Sequence, residues 1–329
     1  MNIGSIALPE YPIMLAPMED ITDPPFRSIC KHFGADMMFT EFISADGLIR
    51  SGYKSEKKLD ILPVERPIGI QIFGNSVDSV KQAAKMAEEA DPDCIDLNFG
   101  CPVRKVVKKG GGAGLLKDIP LMIEIAREVV THTNIPVTAK TRLGWDPQHI
   151  DIRNIALQLQ DTGISALTIH GRTASQLYRG HADWNEIAVV KKDPKITIPV
   201  IGNGDIDSPE VALNAFKEYG VDGIMIGRAA IGNPWLFREI KYYFKTGQFL
   251  SPPTVEEKVR WVKYHLQQSI EWKGEYKGVV EMRTHFSNYF KGLPNIKPFR
   301  HQLVTEFDPE KIFYILDIIV DKYGTGVDT

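Results

Sequence analysis

Eight short apolar runs recur along the chain, at 13–16, 37–40, 68–73, 94–97, 136–139, 166–169, 199–201 and 223–226. Several read as continuous apolar stretches without strict alternation, the pattern of strands buried on both faces of a parallel sheet. Amphipathic segments lie between them, among them 77–90, 120–131, 152–162 and 209–219. The last is well punctuated: Ser208 can cap it, Pro209 suits the first turn and Gly220 can take the left-handed stop. Eight strand–helix units in about 245 residues predict an α/β fold of the TIM (β/α)8 barrel type, with an active site at the C-terminal ends of the strands.

The chain has 329 residues, more than that barrel needs. Beyond Pro252-Pro253 the strand-like runs stop, which predicts a barrel domain over 1–247 and a C-terminal all-helical domain over 251–329. Thr254 and Glu257 form a capping box that opens a helix running to about Lys273, and further helices are predicted at 277–291 and 309–323, the latter capped by Asp308. Between Lys258 and Arg300 nine Lys or Arg face only Glu271, Glu275 and Glu281, interleaved with Trp261, Tyr264, Trp272, Tyr276 and Tyr289. Such a window is a solvated face or an RNA contact. The net charge of −3 argues against a generally sticky nucleic-acid binder, so any polyanion site must be local. Three cysteines, Cys30, Cys94 and Cys101, are too few and too irregular for a disulfide framework or a zinc site, and no metal is expected. Without an export signal or an uninterrupted apolar span, the expectation is a cytoplasmic, non-membrane protein acting as a monomer.

Polar and glycine-rich chemistry follows the apolar runs: Pro17-Met18, Glu41, Gln71, Asn98 to Cys101, Lys140 to Arg142, His170 to Arg172, Gly202 to Asp205 and Gly227-Arg228. Any one of these suits an ordinary loop; their joint placement on one rim does not. The last two groups sit where barrels bind phosphate, since glycine lets backbone N–H groups approach and Arg228 adds a charged fork. Lys140 and His170 end the fifth and sixth strands, where a cation can face an anionic cofactor edge such as the pyrimidine ring of a reduced flavin, and Gln71 can bond the same ring. The run Gly110 to Gly114 lacks a P-loop ending and reads as a flexible or closely packed loop. Cys101 lies on a short turn between Gly100 and Pro102, whereas Cys30 falls in a helix and Cys94 opens a strand, as packing residues do. A nucleophile and a proton donor both remain open for Cys101.

Leu15-Ala16-Pro17-Met18 with Asp23, Pro25, Phe26 and Arg27, then Asp96 to Pro102 with Arg104-Lys105, resembles the tRNA-dihydrouridine synthase family. Lys140 to Gly144, His170 to Thr173, Gly202 to Ile206 and Gly227 to Ala229 are similar to its remaining blocks, in order and spacing, closest to the bacterial B-type branch. The run Gly110 to Gly114 is richer in glycine than that pattern. The resemblance implies reduction of uridine to 5,6-dihydrouridine in the D-loop of tRNA, with FMN as cofactor and NADPH as reductant. It implies FMN contacts from Ala16, Pro17, Met18, Gln71, Lys140, His170, Asn203, Gly204, Asp205, Gly227 and Arg228. Cys101 would be the general acid, and Asn98, Lys105, Arg142 and Arg172 would hold the substrate. Three other readings stand beside it: an FMN barrel of dihydroorotate or dihydropyrimidine type acting on free pyrimidines, a noncatalytic RNA-binding barrel, and a flavin-free isomerase or lyase of sugar phosphates.

Overall fold

The computed structural model describes residues 1–324. An antiparallel hairpin of β1 (Asn2–Ile3) and β2 (Ile6–Ala7) comes first. The eight apolar runs then become β3 (Ile13–Leu15), β4 (Met37–Phe39), β6 (Ile68–Phe73), β7 (Cys94–Asn98), β8 (Val137–Arg142), β9 (Ala166–His170), β10 (Val200–Asn203) and β11 (Gly223–Ile226), with a short β5 (Ile43–Ser44) laid on β6. All barrel pairs are parallel, and β4 pairs both β3 and β6, so the sheet closes on itself. Ile3 and Ile6 pack with Met14, Met37, Cys94 and Ala166, so the hairpin plugs one end of the barrel and leaves the other for chemistry.

Helices α1 (Pro24–His32), α2 (Ala45–Ile49), α3 (Tyr53–Lys57), α4 (Val77–Glu89), α5 (Arg104–Val107), α6 (Ile119–His132), α7 (Ile152–Gln160), α8 (Trp184–Lys191), α9 (Pro209–Lys217) and α10 (Leu236–Thr246) accompany the strands. Local chemistry sets many of their ends. Asp23, Ser76, Asp118 and Ser208 each accept a backbone N–H from the first turn of the helix that follows, which satisfies a donor that the helix leaves orphaned. Gly220 has φ +72°, the predicted left-handed stop after α9. Helix α10 goes unannounced in the sequence, because its N-terminus has no side-chain cap.

The tail is helical: α11 (Val255–Lys273), α12 (Glu275–Tyr289), α13 (Lys297–Thr305) and α14 (Pro309–Tyr323). Residues 325–329 of the expected second domain lie outside the described residues. The expected capping box is only half formed. Thr254 accepts from the Glu257 N–H, but the Glu257 carboxylate instead accepts from Trp235 Nε1 at 3.1 Å and Arg238 Nη1 at 3.2 Å. The tail shares one apolar core with the barrel through α1, where Phe26 lies against His265 and His285. Lys273 is buried between Asp23 and Glu281. Asp23, Phe26 and Arg27 therefore have structural work here: Asp23 caps α1, Phe26 fills the junction, and Arg27 makes a buried pair with Glu65 at 3.0 Å. No helix of the described residues is long and apolar enough to cross a membrane.

Candidate functional site

Parallel register stacks the interior side chains in layers. Gln71 on β6, Asp96 on β7 and Thr138 on β8 are direct Cα partners, and Asn98 pairs with Lys140 one layer nearer the C-terminal rim. Above them opens a cavity of about 870 Å³ whose lining comes from the C-terminal ends of the barrel strands and the loops beyond. It includes Ala16, Pro17 and Met18 after β3, Gln71, Asn98 and Cys101 from β6, β7 and the turn beyond, Lys140 and Arg142 on β8, and His170 and Arg172 at β9. Asn203, Gly204 and Asp205 at β10 and Gly227 and Arg228 at β11 complete the set. Lys105 is the exception: it sits exposed on α5, outside this lining.

Cations outnumber carboxylates in the cavity, with Lys140, Arg142, Arg172, Arg228 and Lys291 against Glu19, Asp205 and Asp207. Lys140 Nζ donates to Asn203 Oδ1 at 2.9 Å, and Asn203 Nδ2 donates to the Met225 carbonyl, which fixes the amide. Burial, with repulsion from Arg142, brings the Lys140 ammonium down to about 7 against the pull of Asp96. An arriving anion would restore its charge. Burial and four neighbouring cations hold His170 well below its ordinary value, so the ring is neutral. Arg172 Nη1 lies 3.2 Å from His170 Nε2. A guanidinium can only donate, so Nε2 accepts and Nδ1 carries the proton.

The guanidinium groups of Arg142 and Arg172 are engaged within the protein. Arg142 donates to the carbonyls of Gly100, Thr173 and Leu177, and Arg172 to those of Arg179 and Gly180. Together they hold down the loop that carries Tyr178, whose ring receives Arg142 and Arg228 at 5.5 and 5.0 Å. Asp205 accepts from Arg172 at 2.6 Å and from Arg228 at 3.1 Å. Burial raises its carboxyl, but Arg172, the Ala182 N–H and Arg228 outweigh that and hold it below the usual carboxylate range. Arg228 remains half exposed and able to meet a ligand.

Cys101 is held from three sides. Asn98 Oδ1 accepts the N–H of Gly100 at 3.0 Å and of Cys101 at 2.8 Å, the Cys101 carbonyl accepts from Ala113, and Arg142 Nε holds the Gly100 carbonyl. The glycine run is a packed buttress: Gly112 has φ +55°, and a Cβ there would stand 2.8 Å from the Cys101 carbonyl oxygen. Burial pushes the Cys101 thiol up, against the Val103 N–H and Arg142, so it stays protonated at neutral pH. Cys30 and Cys94 are fully buried in the core.

Sequence reasoning misses several lining residues. Phe42 and Tyr178 lack a motif, and Lys291 reads only as the end of a tail helix, although it lies on the cavity wall just past α12. The basic window is also less available than its composition suggests. Lys263 pairs with Asp317, Lys273 with Asp23 and Glu281, and Lys277 with Glu281, while Arg260, Lys291 and Lys297 face solvent. Trp261 packs on His32 and Phe33, Trp272 Nε1 donates to Asp60, and Tyr289 is buried, so only Tyr264 and Tyr276 among those aromatics are well exposed.

The family model described as dihydrouridine synthase (Dus) matches residues 14–321. The tRNA-dihydrouridine synthase B of Pseudomonas putida is 40% identical over 288 residues, covering 88% of this chain and 85% of its own. That of Pseudomonas aeruginosa is 39% identical over 302 residues, covering 92% and 90%. Among solved structures, histamine dehydrogenase from a Rhizobium species superposes with a TM-score of 0.58 at 10% identity, over 98% of this chain and 64% of that one. The 6-hydroxypseudooxynicotine amine oxidase of Pseudomonas geniculata does so at 0.58 and 14%, over 74% and 48%. The chain thus spans less than two thirds of either structure, and at these identities the likeness speaks for the barrel fold alone.

Proposed function

The chain belongs to the dihydrouridine synthase family, and from that premise we propose that it reduces uridine in tRNA to 5,6-dihydrouridine, using FMN and NADPH. The observation that carries this reading is one cation-rich cavity containing a thiol that burial keeps protonated. The residues fit FMN. Gly204 has φ +133° and a Cβ there would fall 2.6 Å from that of Ala182, a Cβ at Gly227 would meet Ala16 and Met18 of the cavity wall at ordinary contact distance, and half-exposed Arg228 stands beside them, which suits a phosphate approached by backbone. Lys140 and the neutral His170 offer donors to the ring edge.

FMN held by Lys140, His170, Gly204, Gly227 and Arg228 would supply the hydride for carbon 6 of the uracil, with NADPH as the source of the electron pair. Cys101 gives its Sγ proton to carbon 5 and recovers one from solvent, so the base gains two hydrogens and the enzyme is unchanged. A high thiol pKa serves a donor, whereas a nucleophile needs the opposite. Lys140 favours negative charge near it, and the loop held by Arg142 and Arg172 shields the cavity from water. Residues 1–247 are assigned to catalysis and 251–329 to tRNA, with Arg260, Lys291 and Lys297 as solvent-facing cations. Such contacts offset the few kcal/mol needed to turn a base out of its stack.

The test is enzyme with FMN, NADPH and unmodified tRNA, with dihydrouridine read by mass spectrometry. Cys101→Ala is expected to slow tRNA reduction by roughly two to four orders of magnitude while NADPH still bleaches the flavin. Unchanged turnover in that variant, or free uridine reduced as fast as tRNA, overturns the proposal.

A further inference from the structure

Asp96 is buried in the barrel interior and touches neither solvent nor the Cys101 loop. Its two oxygens accept from Thr138 Oγ1 at 2.5 Å and Gln71 Nε2 at 2.6 Å. A side-chain amide has a donor end and an acceptor end, so an acceptor at position 96 decides which way Gln71 points. With Nε2 on Asp96, Gln71 must present Oε1 to its other neighbour, and Oε1 accepts from Asn98 Nδ2 at 2.8 Å. That turns Asn98 Oδ1 towards the loop, where it takes the N–H groups of Gly100 and Cys101. Reversing Asn98 would set donor against donor at the loop, and reversing Gln71 would set acceptor against acceptor at Asp96 and donor against donor at Asn98. Such a mismatch leaves buried groups unpaired, which weakens the turn they hold.

We propose that Asp96 is a positioning residue that, through the fixed amide directions of Gln71 and Asn98, locks the turn carrying Cys101. The proposal deepens the reading of Cys101 as proton donor and rests on it for its catalytic meaning, although the geometry stands without it. A carboxylate in an apolar interior is costly, and this one is kept where Gln71, Asp96 and Thr138 sit side by side across three strands. Two donors and nearby Lys140 offset part of that cost, and burial still raises the carboxyl to about 6.

The experiment is alkylation of the folded protein by N-ethylmaleimide, with each cysteine followed by peptide mass spectrometry. Cys101, 8% exposed, reports the turn, while Cys30 and Cys94, both 0% exposed, stay unlabelled as long as the fold is intact. Asp96→Leu, similar in shape but without an acceptor, is expected to speed Cys101 alkylation at least tenfold with the other two cysteines still protected. Asp96→Asn, which keeps an acceptor for Gln71, is expected to stay near the wild-type rate. Where the leucine is not tolerated, Gln71→Met reads the same relay from its middle, with the same tenfold expectation. On tRNA, kcat falls in the leucine variant while KM changes little. Wild-type alkylation in a folded Asp96→Leu or Gln71→Met protein overturns the proposal, as does an Asn variant as reactive as the Leu one. Failure of the proposed activity would appear separately, as no dihydrouridine from the wild-type enzyme.

Discussion

Replacing His285 with phenylalanine should make the protein more resistant to acid. His285 lies on α12 at the junction with the barrel, against Phe26 and His265, with Asp23 and Lys273 nearby. Burial brings its pKa from 6.5 to about 4, Asp23 pulling the other way and Lys273 adding to the fall. The unfolded chain therefore takes up a proton as the pH drops through 6.5, and the native ring refuses it until about 4. Stability must fall with pH across that window, because the unfolded state binds more protons. At about 1.36 kcal/mol per pKa step, the His285 contribution is about 2 kcal/mol lost by pH 5 and about 3 by pH 4. Among the described residues nothing bonds His285 Nδ1, so an aromatic ring without it loses little at neutral pH. His265, also held well below its ordinary value by burial, is common to both proteins. Urea unfolding of wild type and His285→Phe between about pH 7 and pH 4 gives the difference directly. The curves should diverge by those amounts in favour of the variant, and parallel curves would refute the reasoning.

Two further changes test other parts of the molecule. Gly112→Ala places a Cβ 2.8 Å from the Cys101 carbonyl and 3.0 Å from Val106 Cγ1 at φ +55°, so it should cost about 2 kcal/mol or more, since left-handed backbone alone costs roughly 1–2. Thermal melting and the tRNA half-reaction check it, and an alanine variant unchanged in both would mean the loop yields freely. Lys291→Glu and Lys297→Glu should each weaken tRNA binding more at low salt than at high, lowering the salt slope by about one for each phosphate no longer neutralised. Titrations at several ionic strengths decide it, and a weakening independent of salt would instead point to a packing defect.

The strands and the rim were legible because both are written locally: apolar runs of strand length mark the barrel, and the residue after each run lies by topology at the C-terminal mouth. What escaped depends on register and distance. Nothing near Asp96 in sequence announces that Gln71 and Thr138 lie level with it, since that alignment belongs to the closed sheet. Arg142 and Arg172 are named readily from their places after strands, but residue type cannot reveal that loop carbonyls between Thr173 and Gly180 take up their donors. The Thr254 and Glu257 pair misled for a related reason: Trp235 and Arg238, remote in sequence, captured the glutamate. Charge counting overvalued the basic window because partners of its lysines lie outside it, Asp317 on α14 and Asp23 on the barrel.

Lys273 grips Asp23 only a few residues beyond Met18, which forms part of the cavity's lip. The tail is thus clamped to the segment that borders the cavity, and it cannot swing without dragging that border along. If the tail grips tRNA as proposed, a gripping unit and a reaction centre joined this stiffly would behave as a ruler. The nucleotide reached would then be dictated by the angle at which the clamp is built, and grafting a tail that seats differently on α1 would move the modification along the RNA.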